Sequence, residues 1–278
     1  MPSCIDLHLH TSRSDGVLSP RELLEEVRAR KLVAFAVVDH DTIDGYRELA
    51  DLIVPGDPEL VSGLELSVAT GNGDMHLLAY LFDSDHQELA ETLETFREAR
   101  NLRGRQMVER LNQQGLRLPF ETVLEAAGGS AIGRPHIAEA LVKNGLASSI
   151  EETFRKYIGN NCPAYIPKSM IRPPEAIALI HRAGGVAVLA HPYINDMHRH
   201  VPSLVRLGLD GLEIHHYSHD KQQVQELKRL AQKHGLLLSG GSDFHGRQEH
   251  EGDIGADSVP VEYLEKLKSR ALEIRGGI

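Results

Sequence analysis

The sequence predicts an α/β fold: a distorted or incomplete seven-stranded β/α barrel with a mostly helical cap inserted into it. Three observations carry this expectation. Seven short runs are apolar and rich in branched residues, as buried strands are. Helical patterns separate most of them, and strands alternating with helices pair in parallel through right-handed crossovers. One long central stretch breaks the alternation.

The strand candidates fall at Ser3–Leu9, Val33–Asp39, Glu59–Val68, Met75–Phe82, Val186–Ala190, Gly211–His215 and Leu236–Gly241. The first helix has the clearest start. Ser19 is a capping residue, Pro20 suits the first helical position, and Glu22 completes a capping box. Leu23, Leu24 and Val27 mark its buried face. Further helices are expected at Tyr46–Ile53, Pro174–Ala183, Val201–Leu207, His219–His234 and Val261–Ile274. From Arg100 to Arg172 there are helical patterns and loops but no convincing buried strand. Loops of that length are uncommon in compact domains, so this stretch reads as a cap over the barrel mouth. The barrel then comprises residues 1–99 and 173–278, and the cap residues 100–172.

Charge separates the two parts. Residues 101–170 hold nine Lys/Arg and six Asp/Glu, a net of +3, whereas the whole chain is at −10. An acidic total argues against a protein that coats nucleic acid. With 41% hydrophobic and 25% charged residues, wholesale disorder is excluded. No apolar run reaches the roughly 18 residues of a membrane span. The opening MPSCIDLHLH lacks the basic region of a signal peptide, and two cysteines suit a reducing compartment, so a cytoplasmic protein is expected.

The sixteen histidines are the anomaly. Strand one ends in His8 and His10, strand two in Asp39 and His40, and strand three contains Glu65. Strand four opens with His76, strand five ends at His191, strand six at His215 and His216, and strand seven runs into Asp243 and His245. Active sites of β/α barrels are built from such strand ends. Residues i and i+2 of a strand point the same way, so His8-x-His10 aims two imidazoles at one place, and Asp243-x-His245 can repeat this with a carboxylate. One HxH is unremarkable. Repetition at successive strand ends is not, because imidazoles and carboxylates packed together without a cation would bury polar groups at several kcal/mol each. Imidazole and carboxylate are ligands of Zn²⁺, Mn²⁺ or Fe²⁺.

The segments HLHTSRSDG (8–16), VVDHDT (37–42), GLELS (63–67), MHLLAY (75–80), LAHP (189–192) and GSDFHG (241–246) resemble, in order, the motifs of the polymerase-and-histidinol-phosphatase (PHP) family of the amidohydrolase-like group. The resemblance implies a distorted seven-stranded barrel that hydrolyses phosphoesters with up to three divalent metals, Mn²⁺ first and Fe²⁺ or Zn²⁺ as alternatives. It assigns His8, His10, Glu65 and Asp243 to one metal. A second would share Glu65 with His76 and His191, and a third would be held by Asp15, His40 and His245. Within the insertion, GRPHIAEALVKNG (133–145) and AYIPK (164–168) resemble a subgroup acting on nucleotides.

Pro135 is placed to open a helix that Gly145 closes, with Ile137, Ala138, Leu141 and Val142 as its buried face. Arg134 then stands at a helix N-terminus, which favours anions. Together with His136 and Lys168 it is expected to clamp phosphate. The function implied is removal of the 3′-phosphate from nucleoside 3′,5′-bisphosphates, with 5′→3′ trimming of short RNA as the alternative. A non-catalytic metal-binding module is the alternative of another class. The partner expected is a small phosphorylated nucleotide or short RNA, with no membrane and no obligatory protein partner. Arg13 and Ser14 have weaker support as phosphate contacts. One of His215 and His216 must face away from the site. His198 and His200 read as surface residues, and His86, His181, His219, His234 and His250 have no partner pattern.

Overall fold

The computed structural model describes residues 4–70, 73–168, 170–246, 252–256 and 259–277. His250 lies outside them. β1 (Cys4–Leu9) leads into α1 (Pro20–Arg30), β2 (Ala34–Val37), α2 (Asp44–Leu52), β3 (Glu59–Thr70) and β4 (Gly73–Tyr80). Then come α3 (Gln87–Gln113), α4 (Phe120–Ala127), α5 (Arg134–Lys143) and α6 (Ile150–Thr153), which runs into a π-turn at Phe154–Ile158. The chain returns through α7 (Pro173–Arg182), β5 (Val186–Leu189), α8 (Val201–Arg206), β6 (Gly211–His215), α9 (Lys221–His234), β7 (Leu237–Gly240), β8 (Val259–Pro260) and α10 (Val261–Gly276). All seven expected strands are present, and β8 is an eighth, two residues long. At α1 the capping box forms: Glu22 N–H donates to Ser19 Oγ at 3.3 Å and Ser19 N–H to Glu22 Oε2 at 2.8 Å.

One sheet runs in the order β7-β6-β5-β4-β3-β2-β1-β8. The expectation of parallel pairing fails at β4, which is antiparallel to both β3 and β5, and at β8, which is antiparallel to β1. The reason is chain length. Thr70 and Gly73 are register partners with two residues between them, and a parallel crossover needs a dozen or more. The reversal explains His76. It sits early in its strand, yet it pairs with Ser67 near the end of β3 and so joins the C-terminal ends of the parallel strands. After β7 the chain closes against β1, where Leu9 bridges Phe244 and His10 N–H donates to Phe244 O at 3.0 Å.

Alternation along the strands builds the core in two layers. Leu78 and Tyr80 face Ile5, Leu7, Val186 and Val188, with Leu264 and Leu267 of α10 packed on the same cluster. Leu77 and Ala79 face the other way, toward Ile177 and Ile180 of α7. A separate apolar cluster, including Met107, Leu111, Val123, Ile137, Leu141 and Ile158, joins α3, α4, α5 and the π-turn. The boundary expected at residue 100 falls inside α3, which is continuous for 27 residues.

Candidate metal centre

β1 turns His8 and His10 to one side, both fully buried. Their Nε2 atoms face each other at 3.1 Å. Glu65 Oε2 lies 3.3 Å from each, and Asp243 Oδ1 lies 3.0 Å from His8 and 3.1 Å from His10. Two imidazole nitrogens and two carboxylate oxygens thus converge. The other oxygen of Glu65, Oε1, is 2.9 Å from His76 Nδ1 and 3.0 Å from His191 Nε2, which are 3.4 Å apart. Asp15 gathers a third group: Oδ1 is 3.4 Å from His245 Nε2, and Oδ2 is 3.8 Å from His40 Nε2. All nine residues of the expected ligand set therefore meet at one end of the barrel.

This donor set fits divalent cations. His8 and His10 present the same kind of atom to each other, a contact that a cation between them turns attractive. His40 Nδ1 lies 3.2 Å from Glu65 Oε2 but, like His10 Nδ1 and His191 Nδ1, is buried without a hydrogen-bond partner among the described residues. Electrostatics agree. Burial pushes the Glu65 carboxyl up, but the surrounding imidazoles, His40 and His76 foremost, hold it well below the usual range. Asp243 is held low against burial in the same way, chiefly by His8 and His10. For His8, burial favours the neutral ring, yet Glu213, Asp243 and Glu65 raise its pKa well above the ordinary value.

Several supporting residues escape sequence reasoning. Glu213, fully buried in β6, places Oε1 2.8 Å from His8 Nδ1 and accepts the His191 N–H on Oε2 at 2.7 Å. Asp39, grouped by position with the reactive strand ends, turns instead to the loop after β1. It accepts from Thr11 N–H at 2.8 Å, Thr11 Oγ1 at 2.6 Å and Ser14 Oγ at 2.6 Å, which fixes the segment bearing Asp15. His191 and Asp243 hold positive φ, 27° and 54°, a strain that recurs at functional sites. At Gly241 an added Cβ would lie 2.4 Å from His8 N, so a glycine lets the closing segment reach β1. Of the β6 pair, His216 faces inward, with Nε2 3.1 Å from Asp243 Oδ2, while His215 turns to the ring of Tyr263.

A cavity of about 660 Å³ opens over Asp15, His40, His76 and His191. Arg13, Arg100, Arg103, Arg134 and Lys168 also line it. Arg134 stands at the N-terminus of α5, as expected, although the helix starts at Arg134 itself, one residue before Pro135. Its Nη1 donates to Asn160 Oδ1 at 2.9 Å, and its guanidinium sits 5.6 Å from the ring centres of both Phe154 and Tyr165. Lys168 Nζ donates to Ser67 Oγ at 2.9 Å. His136 is placed differently: it is buried, its Nδ1 accepts the Gly133 N–H at 3.1 Å, and it is not among the described residues lining the cavity. Arg13 lines the cavity while paired with Glu48.

The remaining histidines take structural places. His198 is half-buried and stacks on Tyr193 at 4.5 Å rather than standing on the surface, whereas His200 is exposed. His86 caps α3, His181 binds Asp210 at 2.7 Å, and His219 contacts Ile214 O at 3.1 Å. Cys4 and Cys162 are free thiols. Among the described residues no helix is long and apolar enough to cross a membrane.

Comparison with known proteins agrees with this geometry. The family model of the PHP domain matches residues 6–169. A 3′,5′-nucleoside bisphosphate phosphatase from Chromobacterium violaceum is 34% identical over 259 residues, 90% of each chain. A 5′-3′ exoribonuclease from Haemophilus influenzae is 32% identical, covering 86% of this chain and 89% of its own. Among solved structures, a candidate metal-dependent phosphoesterase from Bifidobacterium adolescentis superposes with a TM-score of 0.87 at 31% identity, over 96% of both chains.

Proposed function

This chain belongs to the PHP domain family, and on that premise we propose that it is a metal-dependent phosphatase that removes the 3′-phosphate of nucleoside 3′,5′-bisphosphates, leaving the 5′-nucleotide and inorganic phosphate. One observation carries the reading: eight imidazole and carboxylate side chains, with His191 against Glu65 as a ninth, converge beside a cavity whose walls bear cationic side chains. The ligand sets are His8, His10, Glu65 and Asp243; Glu65, His76 and His191; and Asp15, His40 and His245. Three divalent ions would occupy them, with Mn²⁺ ahead of Fe²⁺ or Zn²⁺. Bound there, they supply Lewis-acid polarisation of the phosphoryl oxygens and a lowered water pKa.

The chain's own groups do the rest. Arg134, braced by Phe154, Tyr165 and Asn160, offers a charged fork to phosphate. Lys168 adds a point charge beside Ser67, next to His76 across the β3–β4 pair. A bisphosphate carries several negative charges that a chain at −10 repels, and these cations reverse the sign locally. Glu213 holds His8 in one tautomer, with Nε2 left toward Glu65 and Asp243. Residues 100–172 act as the roof and residues 1–99 and 173–278 as the barrel, in a cytoplasmic protein whose partner is the nucleotide.

Trimming of short RNA from the 5′ end is the second reading, favoured by the similar identity of the exoribonuclease relative. The test is phosphate release from adenosine 3′,5′-bisphosphate by Mn²⁺-loaded protein, beside a 5′-phosphorylated RNA trimer. Fast release with slow trimming supports the phosphatase. Preferential trimming overturns it in favour of the exonuclease.

A further inference from the structure

β6 carries one irregularity, and it lies beside the metal centre. Glu213 pairs with Ser239 of β7, but the next register pair is His215 with Gly240, so β6 takes two steps where β7 takes one. On a regular strand, side chains three apart face opposite sides. Here the extra residue restores the match. Glu213 and His216 both face the centre, while Ile214 packs in the layer under α7 and His215 meets Tyr263. The bulge therefore aims a second side chain of this strand at the metal ligands, as bulges next to active sites do.

His216 is buried, and its Nδ1 accepts the backbone N–H of Ser218 at 3.1 Å. A backbone N–H can only donate, so the ring proton sits on the other nitrogen, Nε2. That N–H donates to Asp243 Oδ2 at 3.1 Å. Asp243 Oδ1 is the oxygen that lies 3.0 Å from His8 and 3.1 Å from His10, so the two oxygens have separate partners. Ser218 Oγ is also 2.7 Å from Nδ1, which lines up a serine, an imidazole and a carboxylate. The Nδ1 lone pair is already engaged by the Ser218 N–H, however, so the imidazole is not a base for that hydroxyl. What remains is the hold on Asp243. This residue stands at φ 54°, and such conformations persist only where the surroundings over-determine them.

We propose that His216 is a positioning residue for Asp243: its N–H ties up one carboxylate oxygen, so that Asp243 offers the other alone to the cation between His8 and His10. A carboxylate free to turn could give both oxygens to one ion and occupy two of its positions. The role rests on the metal-centre reading, and the two can fail separately.

Two near-isosteric variants separate positioning from a structural tie. The amide of glutamine reaches the place of Nε2, and that of asparagine the place of Nδ1. His216→Gln keeps a donor for Asp243 and gives up the Ser218 contact; His216→Asn does the reverse. Mn²⁺ titrated calorimetrically into metal-free protein should bind His216→Gln close to the wild-type affinity. It should bind His216→Asn about 10–100-fold more weakly, the range for groups that orient a metal ligand. The opposite order, with His216→Asn the better binder, overturns the proposal in favour of a tie to Ser218. Equal affinity in all three proteins overturns it too. Loss of the cooperative melt in both metal-free variants makes His216 a structural residue and has the same consequence. No Mn²⁺ binding by the wild type overturns the metal-centre reading itself, and the role with it.

Discussion

Glu213 Oε1 lies 2.8 Å from His8 Nδ1, and both side chains are sealed from solvent. The carboxylate also accepts the backbone N–H of His191, and it decides which ring nitrogen of His8 faces Glu65 and Asp243. Partners of this kind typically contribute 10–100-fold in metal affinity or activity. Glu213→Gln should weaken Mn²⁺ binding by about that factor. A metal titration of the refolded variant measures it, and unchanged affinity would remove the role.

Removing a ligand acts more severely. His10→Ala or Asp243→Asn should abolish turnover, because each belongs to the set around Glu65. Wild-type rates in either variant would sink the metal-centre assignment.

Chelation should do the same without unfolding the chain. In the metal-free protein His8 can take a proton from solvent and stand as a cation beside the ionised Glu65, as the raised pKa of the one and the lowered pKa of the other indicate. Circular dichroism should keep its helical signal while turnover disappears and the melting temperature falls, since an ion that binds only the native state stabilises it. Adding Mn²⁺ should restore both.

Arg134→Ala should raise KM by about 10–100-fold with a smaller change in kcat, the scale of a lost hydrogen bond to a charged group. Phe154→Ala, which leaves the guanidinium but removes one supporting ring, should have a weaker effect of the same kind. A steady-state comparison of the two variants checks the order.

Acid stability offers a test far from the metals. Arg28 and the Val54 N–H hold the Asp57 carboxyl at about 2, below its ordinary value of 3.8. A carboxyl whose pKa is lower folded than unfolded contributes full stability above the unfolded value and loses it as pH falls through the folded one. Asp57→Asn should therefore differ from wild type in denaturant melts at neutral pH. The difference should shrink between pH 3.8 and about 2.

Much of this architecture is legible in the sequence because strands and ligands leave periodic marks. Branched apolar runs end in His8, His10, His191 and Asp243, and the structure brings those ends together. The direction of β4 is less visible. Its signal is the Gly71-Asn72-Gly73 run between two strand patterns, a hairpin cue that competes with the β/α alternation. Glu213 is hidden for another reason: it lies among apolar neighbours in a short strand, and only the register of β6 reveals which way it points. Arg100 and Arg103 are hidden by helix phase, since nothing local distinguishes them from the other arginines of a charged helix. His136 misleads in the opposite sense, because a histidine three residues into a helix serves the N-terminal backbone as readily as a ligand.

The reversal of β4 also fixes where α3 begins. β4 passes the candidate metal centre at His76 and ends at Tyr80, paired with Val186 at the start of β5, so the chain leaves it at the opposite pole. α3 starts there, tied by Glu88 to Arg182 at the end of α7, and its 27 residues span about 40 Å. It passes the cavity at Arg100 and continues into the apolar cluster of Met107 and Leu111. One unbroken rod thus joins the apolar core around β4 and α7 to that second cluster. A swap of the helical segment beyond it between relatives should keep the rod whole and cut at the turn after Gln113, because a junction at residue 100 would sever the beam itself.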